Sequence, residues 1–291
     1  MMHRVPKMTW ISGFFVLIFL LCAFFAPWVA NEPGVRSFQL YPIGPDTPPI
    51  AQMLDREPPG TMSLDGRQYI LGTDHVGRDL FARIVHGIRN SLLFALAVVS
   101  ICIFLGIVLG GIMGLYGGKV DLILQRFMEI VGNFPIFLLQ LTLLAFFERN
   151  YWILLFVMIL AGWIPYCRFV RAEFLKLRSQ DFVQSAYALG ASRFRIFRKH
   201  LLPNSLTPVI TFVPFDLAQV IVVLGALSFL GFGEPIDQAS LGELLRQAKD
   251  NFRVAWWIAV FPASAIFLLT LSLALFGSSI RDLLDPRYAE N

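Results

Sequence analysis

"QSAYALGASRFRIFRKHLLPN", Gln184 to Asn204, lies between two strongly apolar stretches of the chain. It carries Arg193, Arg195, Arg198, Lys199 and His200, and no part of it is long or oily enough to cross a bilayer. The chain around it is 56% hydrophobic and only 15% charged over 291 residues, with a mean hydropathy of +0.65. A soluble domain has about 25% charged residues. The basic segment is therefore a polar interruption in an integral membrane protein, and its placement sets the topology of everything else.

Charge-free windows on either side mark the spans. They run from Lys7 to Glu32, Arg89 to Lys119, Glu129 to Glu148, Arg149 to Arg168, Asp216 to Glu234 and Arg253 to Arg281. Each approaches or exceeds the length a transmembrane helix needs. Six spans follow, at 9–30, 91–116, 124–147, 151–170, 206–232 and 254–278. The backbone must satisfy its own hydrogen bonds in lipid, and the alternating polarity of barrel strands is absent, so the spans are helices. The fold class is an all-α integral membrane protein.

The basic residues orient it. Arg4 and Lys7 precede span one, while Arg168, Arg171, Lys176, Arg178 and the opening cluster lie around the link between spans four and five. Four spans separate the two regions, so they share a side, and the positive-inside rule makes that side the cytoplasm. Both termini are then cytoplasmic. The first apolar run outlasts a signal-peptide core, and "WVA" puts bulky Trp28 near the cleavage position, so it reads as a retained span. The chain divides into a tail and first span (1–30), an extracytoplasmic loop (31–87), a core (88–278) that contains the basic segment (about 181–203), and a cytoplasmic tail (279–291).

Within this frame several features carry local predictions. The loop is rich in Pro and Gly up to "REPPG", and Asp79 to Ile88 then predicts a short amphipathic helix along the membrane surface. Gly106, Gly110 and Gly114 share one face of span two and let another helix approach closely. "GNFP", Gly132 to Pro135, predicts a kink in span three. Cys22, Cys102 and Cys167 are far apart in apolar runs, which fits small buried residues and argues against zinc. The net charge of +4 fits basic cytoplasmic loops and not a nucleic-acid surface.

Catalytic chemistry is not assembled. "GLYGGKV" fails the phosphate-loop spacing, because Met113 stands where a Gly is needed and Val120 where Ser or Thr is needed. His3, His75, His86 and His200 are scattered, and no metal motif is present. The reading is therefore not an enzyme, with no bound cofactor. Ion-coupled carriers leave ionisable residues inside their spans. Here Asp216, just after Pro214, is the main one, and it is open to a pathway role or to a structural hydrogen bond. One such residue gives little support to a secondary carrier or channel working alone.

The basic segment itself reads as two short helices. Phe182, Ala186 and Leu189 recur at helical spacing, Gly190 suits a sharp turn, and Ser192 caps a restart whose face carries Phe194, Phe197 and Leu201. Pro203 ends it. An amphipathic hairpin on anionic lipid is the alternative.

This segment resembles the cytoplasmic signature of ABC importer permeases: Glu-Ala-Ala, Gly four residues later, and Ile-x-Leu-Pro ten beyond the Gly. The frame here is Gln184-Ser185-Ala186, Gly190, and His200-Leu201-Leu202-Pro203. Gln184, Ser185 and His200 depart from it. "LGTDHVGRDLFARIVHGIRNSL", "ALSFLGFG" and "FPASAIFLLTLSLALFGSSIRDLLDPR" are similar to the dipeptide, oligopeptide and nickel branch, in the subunit type with the longer external loop. Leu224 and Leu241 stand where that branch often has an acidic residue and a Trp. The resemblance implies a type I permease in a bacterial inner membrane, with coupling helices that dock on a cytoplasmic ATPase. Gln184, Ser185, Ala186, Gly190, Arg193, Arg195, His200, Leu202 and Pro203 are the implied coupling residues. A second permease, two ATPases holding ATP and Mg, and an extracytoplasmic binding protein would complete the system. Peptide is the expected cargo, ahead of nickel, because no His, Cys or Met cluster lines a span.

Overall fold

A computed structural model describes residues 7–30, 56–62, 68–75, 77–234 and 238–284. Among them the secondary structure is helical, with two isolated bridges, Met62 to Gln68 and Thr73 to Asp79, and no strand. Among the described residues, five helices are long and apolar enough to cross a membrane, and a bent pair supplies a sixth span if taken as one. Parts of the expected 31–87 loop, the last residues of the expected 279–291 tail and the first residues of the chain lie outside the described residues.

The first span is α1, Lys7–Val29. Next comes α2, Leu80–Tyr116, which is 37 residues long. This corrects one expectation: Asp79 to Ile88 is not a separate surface helix but the first turns of α2. At 1.5 Å per residue α2 extends about 55 Å, far beyond a hydrocarbon core of about 30 Å. Its polar extension is held upright because it is buried, with Leu80, Ala82, Arg83, Ile84, Val85 and Ile88 all inaccessible. Asp79 starts it by accepting from the backbone N–H of Phe81 at 3.0 Å.

Span three is broken. Helices α3 (Gly118–Gly132) and α4 (Ile136–Ala145) meet at 74°. The expected kink lies at the expected place, and Pro135 stands just before α4, where its missing N–H costs nothing. The fourth span is α5, Tyr151–Arg178, capped by Asn150, whose side chain accepts from Trp152 N–H at 2.8 Å. It runs eight residues past its expected end.

The basic segment forms α6 (Asp181–Ala188), a turn, α7 (Arg193–Ile196) and a π-helical turn (Phe197–Leu201). It leads directly into α8, Leu202–Phe229. Pro203 therefore does not end a helix, as the sequence led us to expect. It occupies the first turn of α8, where a proline is tolerated, and the wider π turn before it absorbs the change of pitch.

Two elements remain. Helix α9, Leu241–Asn251, is short and strongly amphipathic and lies between the fifth and sixth spans. Helix α10, Trp257–Leu284, is the last span. The most extensive packing joins α2 to α5, followed by α8 with α10 and α1 with α10. α9 lies against α2, α8 and α10.

The glycine face of α2 makes the first of these contacts possible. A Cβ added at Gly106 would lie 2.3 Å from Tyr166 Cβ, one at Gly110 would lie 2.6 Å from the Cys167 carbonyl oxygen, and one at Gly114 would lie 2.4 Å from Phe174 Cβ. The two backbones touch, as the spacing predicts. Cys102 and Cys167 are buried apolar residues within this contact, while Cys22 on α1 is half-buried.

Candidate coupling segment and polar sites

The turn at Gly190 is built from the backbone. Gly190 has φ +79°, and Ala191 N–H bonds the Ala186 carbonyl at 3.0 Å. That bond runs from the third residue past the helix end back to its third-last residue, which is a Schellman closure. Nothing lies within 4 Å of a Cβ added at Gly190, so it is the backbone angle and not space that calls for glycine. Ser192 Oγ then accepts from Arg195 N–H at 3.3 Å and starts α7, as its sequence position predicts.

The faces of this segment differ from those the spacing implied. Val183, Ile196 and Leu201 are buried, and Phe197 packs edge-on against Phe174 at 5.6 Å. By contrast Leu189 is 89% exposed and Phe194 69% exposed, and Phe182 also projects outward. The stripe of Phe182, Ala186 and Leu189 is thus not the inner face of α6. Val183 is inward, because α6 is only eight residues long and leans on the end of α5. Phe194 stacks on Phe197 at 6.2 Å and, with Ser192, Arg195, Arg198 and Lys199, lines an open cavity of about 510 Å³. This is a cationic, partly aromatic surface on the outside of the molecule.

The other signature positions support its shape. Gln184 Nε2 donates to the Arg178 carbonyl at 2.8 Å and so caps the end of α5. Gln184 and Ser185 are exposed and Ala186 is half-buried. His200 is half-buried near Phe182, with ring centroids 6.0 Å apart, and its carbonyl accepts from Asn204 Nδ2 at 2.6 Å. Leu202 is half-buried and Pro203 exposed. The side chain of Arg193 lies outside the described residues.

Asp216 lies well away from this surface. It is 8% exposed and accepts from the Tyr166 hydroxyl at 2.8 Å, which ties α8 to α5. Tyr166 is fully buried and meets Phe212 edge-on at 5.4 Å. Asp216 thus makes an interhelical hydrogen bond, one of the two roles its sequence position leaves open.

Two polar groupings escaped sequence reasoning. Near the coupling end, Arg171 binds Asp121 through Nε at 2.5 Å and Nη2 at 2.7 Å, pinning α3 to α5. The Gln125 amide, with its oxygen turned inward, accepts from Arg171 at 2.9 Å. Their sequence signal was thin: a single Asp in the first turn of α3 and one Arg among many. Beside this pair Gln125, Met128, Glu129, Arg168 and Arg171 line a cavity of about 200 Å³.

At the opposite end, Arg83 is fully buried, and its three guanidinium nitrogens meet no acceptor among the described residues. Around it Arg78 and Asp74 form a buried pair at 2.6 Å, and Glu243 holds Arg246 at 2.5 Å. Trp257 Nε1 donates to the Thr73 carbonyl at 3.1 Å, and Asn90 Nδ2 to the Ala239 carbonyl at 2.9 Å. Burial pushes the Glu234 carboxyl up to about 7, with nearby Ser240 offsetting this in part. Leu224 and Leu241, the two departures from the branch pattern, are both buried core residues here, and Leu241 packs against Gly87.

Comparison with known proteins agrees with this architecture. Residues 106–290 match the family described as binding-protein-dependent transport system inner membrane component. An inner membrane ABC transporter permease protein of Escherichia coli is 43% identical over 225 residues, covering 77% of this chain and 65% of the relative. A peptidoglycan transport system permease protein of Agrobacterium fabrum is 39% identical over 220 residues, covering 75% and 57% respectively. A probable D,D-dipeptide transport system permease protein of Escherichia coli is 31% identical over 287 residues, covering 98% and 90%. The matched region thus spans about three-fifths of the first two relatives and nearly all of the third. A multi-pass helical chain with this match belongs to the family of inner membrane components of binding-protein-dependent transport systems.

Proposed function

We propose that the chain is one of two permeases in an ATP-driven importer of peptides, and that it couples to a cytoplasmic ATPase through Gln184 to Arg195. One observation carries this reading. Leu189 and Phe194 are large apolar side chains left exposed, Phe194 in the lining of a cationic cavity, on a segment continuous with a membrane span. A patch of that kind on an otherwise polar surface marks a protein contact. The relative named as a probable D,D-dipeptide transport system permease protein suggests the cargo class.

In this reading ATP and Mg bind the partner ATPases, and the chain itself hydrolyses nothing. Closure of two ATPases moves the docked helices, and the spans rock between inward- and outward-facing states. A second, homologous permease supplies the other half of the pathway, and an extracytoplasmic binding protein delivers the peptide. The coupling segment and both termini face the cytoplasm, consistent with its basic residues.

The test is co-purification of the detergent-solubilised importer with Gly190→Pro and Gly190→Ala. Proline cannot adopt the φ of +79°. Gly190→Pro is expected to lose the ATPases while still inserting in the membrane. Gly190→Ala, which strains the same angle by about 1–2 kcal/mol, is expected to weaken the association only in part. Wild-type retention of ATPases by Gly190→Pro overturns the placement of the coupling surface.

A further inference from the structure

We infer that the cavity between α3 and α5 is a subsite for the carboxylate of the transported peptide, with Arg168 as the cation that receives it. This rests on the peptide-import reading above and deepens it.

The charges of the cavity are almost all spent on one another. Arg171 is held by Asp121 and by Gln125. Glu129 is held by Arg126 at 2.6 Å. Arg168 lines the same space, is exposed, and makes no hydrogen bond or ion pair among the described residues. The cavity thus presents one cation that no carboxylate neutralises.

Position makes that cation informative. Arg168 lies ten residues before the end of α5 at Arg178, about 15 Å along the helix. It therefore lies at or within the inner margin of the apolar layer, where an exposed guanidinium must face water, a headgroup or a ligand. Its direction selects among these. A Cβ added at Gly132 would lie 3.7 Å from Arg168 Nη2, so the guanidinium lies over the end of α3, beside the break at Asn133 to Pro135. It reaches across to the end of α3, beside the bend between α3 and α4.

The chemistry fits a peptide. A free C-terminus is common to peptides of any sequence, and a guanidinium binds a carboxylate through two parallel N–H bonds. A single cation of this kind selects for a terminus without selecting for side chains. The cavity of about 200 Å³ holds a terminal residue and leaves the rest of the peptide outside it.

The experiment uses the whole importer in everted membrane vesicles, where the coupling side is accessible. The native cysteines are replaced, and a reporter cysteine is placed at Glu129, whose carboxylate the proposal assigns to Arg126. Its labelling by N-ethylmaleimide is followed with trialanine or trialanine amide present. Trialanine is expected to slow labelling and the amide to have little effect. Arg168→Gln is expected to weaken protection by trialanine about tenfold, the worth of one charge-assisted contact. Arg168→Lys is expected to keep part of it. Equal protection by acid and amide, equal protection in Arg168→Gln, or no protection at all overturns the subsite. The last result is also what a carboxylate of the second permease already seated on Arg168 would give. Either cause overturns the subsite, and trialanine uptake by the unmodified importer in proteoliposomes separates that failure from a failure of peptide import. Uptake without protection sinks the subsite alone, and absence of uptake sinks peptide import.

Discussion

Gly106→Ala tests the contact on which the helix bundle is built. The added Cβ would lie 2.3 Å from Tyr166 Cβ, 2.9 Å from Cys167 N and 3.0 Å from the Tyr166 carbonyl carbon. Two of these neighbours are backbone, and the third is a Cβ fixed to it, so no side chain can swing aside. To reach the 3.0 Å that real Cβ atoms respect, α2 and α5 must part by about 0.7 Å. Inserting a methyl group into a packed core costs about 1–3 kcal/mol, and the rigidity of these neighbours places the cost near the top of that range. Ala favours helix over Gly by about 1 kcal/mol, which offsets part of it. The net loss is about 2 kcal/mol, or about 5 °C in melting temperature. Gly225→Ala is the matched control, because its Cβ meets only Ile266 Cδ1 at an ordinary 3.5 Å. It keeps the propensity gain and is expected to melt at or slightly above wild type. The assay is thermal unfolding of the purified importer in detergent, read by monodispersity after heating. A Gly106→Ala protein that melts with or above Gly225→Ala refutes the argument.

Further expectations follow from the polar contacts. Asp121→Asn and Arg171→Gln should each destabilise the α3–α5 contact by about 1–3 kcal/mol, and the double variant should cost less than their sum, as a double-mutant cycle on melting would reveal. Tyr166→Phe removes the donor to a buried carboxylate and should cost more stability alone than in an Asp216→Asn background, again read by melting. Glu234 is raised from 4.5 to about 7 in the folded chain, so the folded form holds its proton more tightly than the unfolded one. Its stabilising contribution is whole below about pH 4.5 and is lost as pH rises through about 7, a change of about 3 kcal/mol. Glu234→Gln should flatten that part of the stability–pH curve.

The spans were legible because a bilayer imposes one rule on every segment within it. Charge-free length decides, and no tertiary knowledge is needed for α1, α5, α8 and α10. The break at Pro135 was legible for a similar reason, since the missing N–H acts locally. The first turns of α2 were not. Arg83 makes Asp79 to Ile88 read as a surface helix, yet Arg83 is 0% exposed on a stretch of α2 against which α9 packs. That packing comes from residues more than 150 positions away. α9 was invisible for the complementary reason: eleven largely polar residues become a helix by laying Leu241, Leu244 and Ala248 on a surface that only the fold creates. In the basic segment, Gly190 and Ser192 were readable as turn and cap chemistry. Which aromatic residues face outward was not, because that depends on where α5 ends, and α5 runs eight residues further than its charges imply.

The packing also decides how a push on the coupling segment would travel. From Arg193 to Phe229 the chain is helical without interruption, a rod of about 55 Å. Near its base, Phe197 wedges against Phe174 of α5, and its ring would lie 2.8 Å from a Cβ at Gly111 of α2. Higher up, Asp216 is bonded to Tyr166 of α5. Since α2 and α5 touch backbone to backbone, α2, α5 and α8 form one block that is hard to deform internally. In the proposed importer, a load from a docked ATPase would have two places to be taken up. One is the Gly190 turn, which is free of packing but closed by its Schellman bond. The other is the break at Asn133 to Pro135, where α3 is pinned to α5 by Arg171 and Asp121 while α4 turns away at 74°. A closed turn transmits load and an open break yields to it. The movement should thus appear as a change in the angle between α3 and α4, beside the cavity that holds Arg168, and distances between spin labels on those two helices should change with nucleotide while those between α2 and α5 stay fixed.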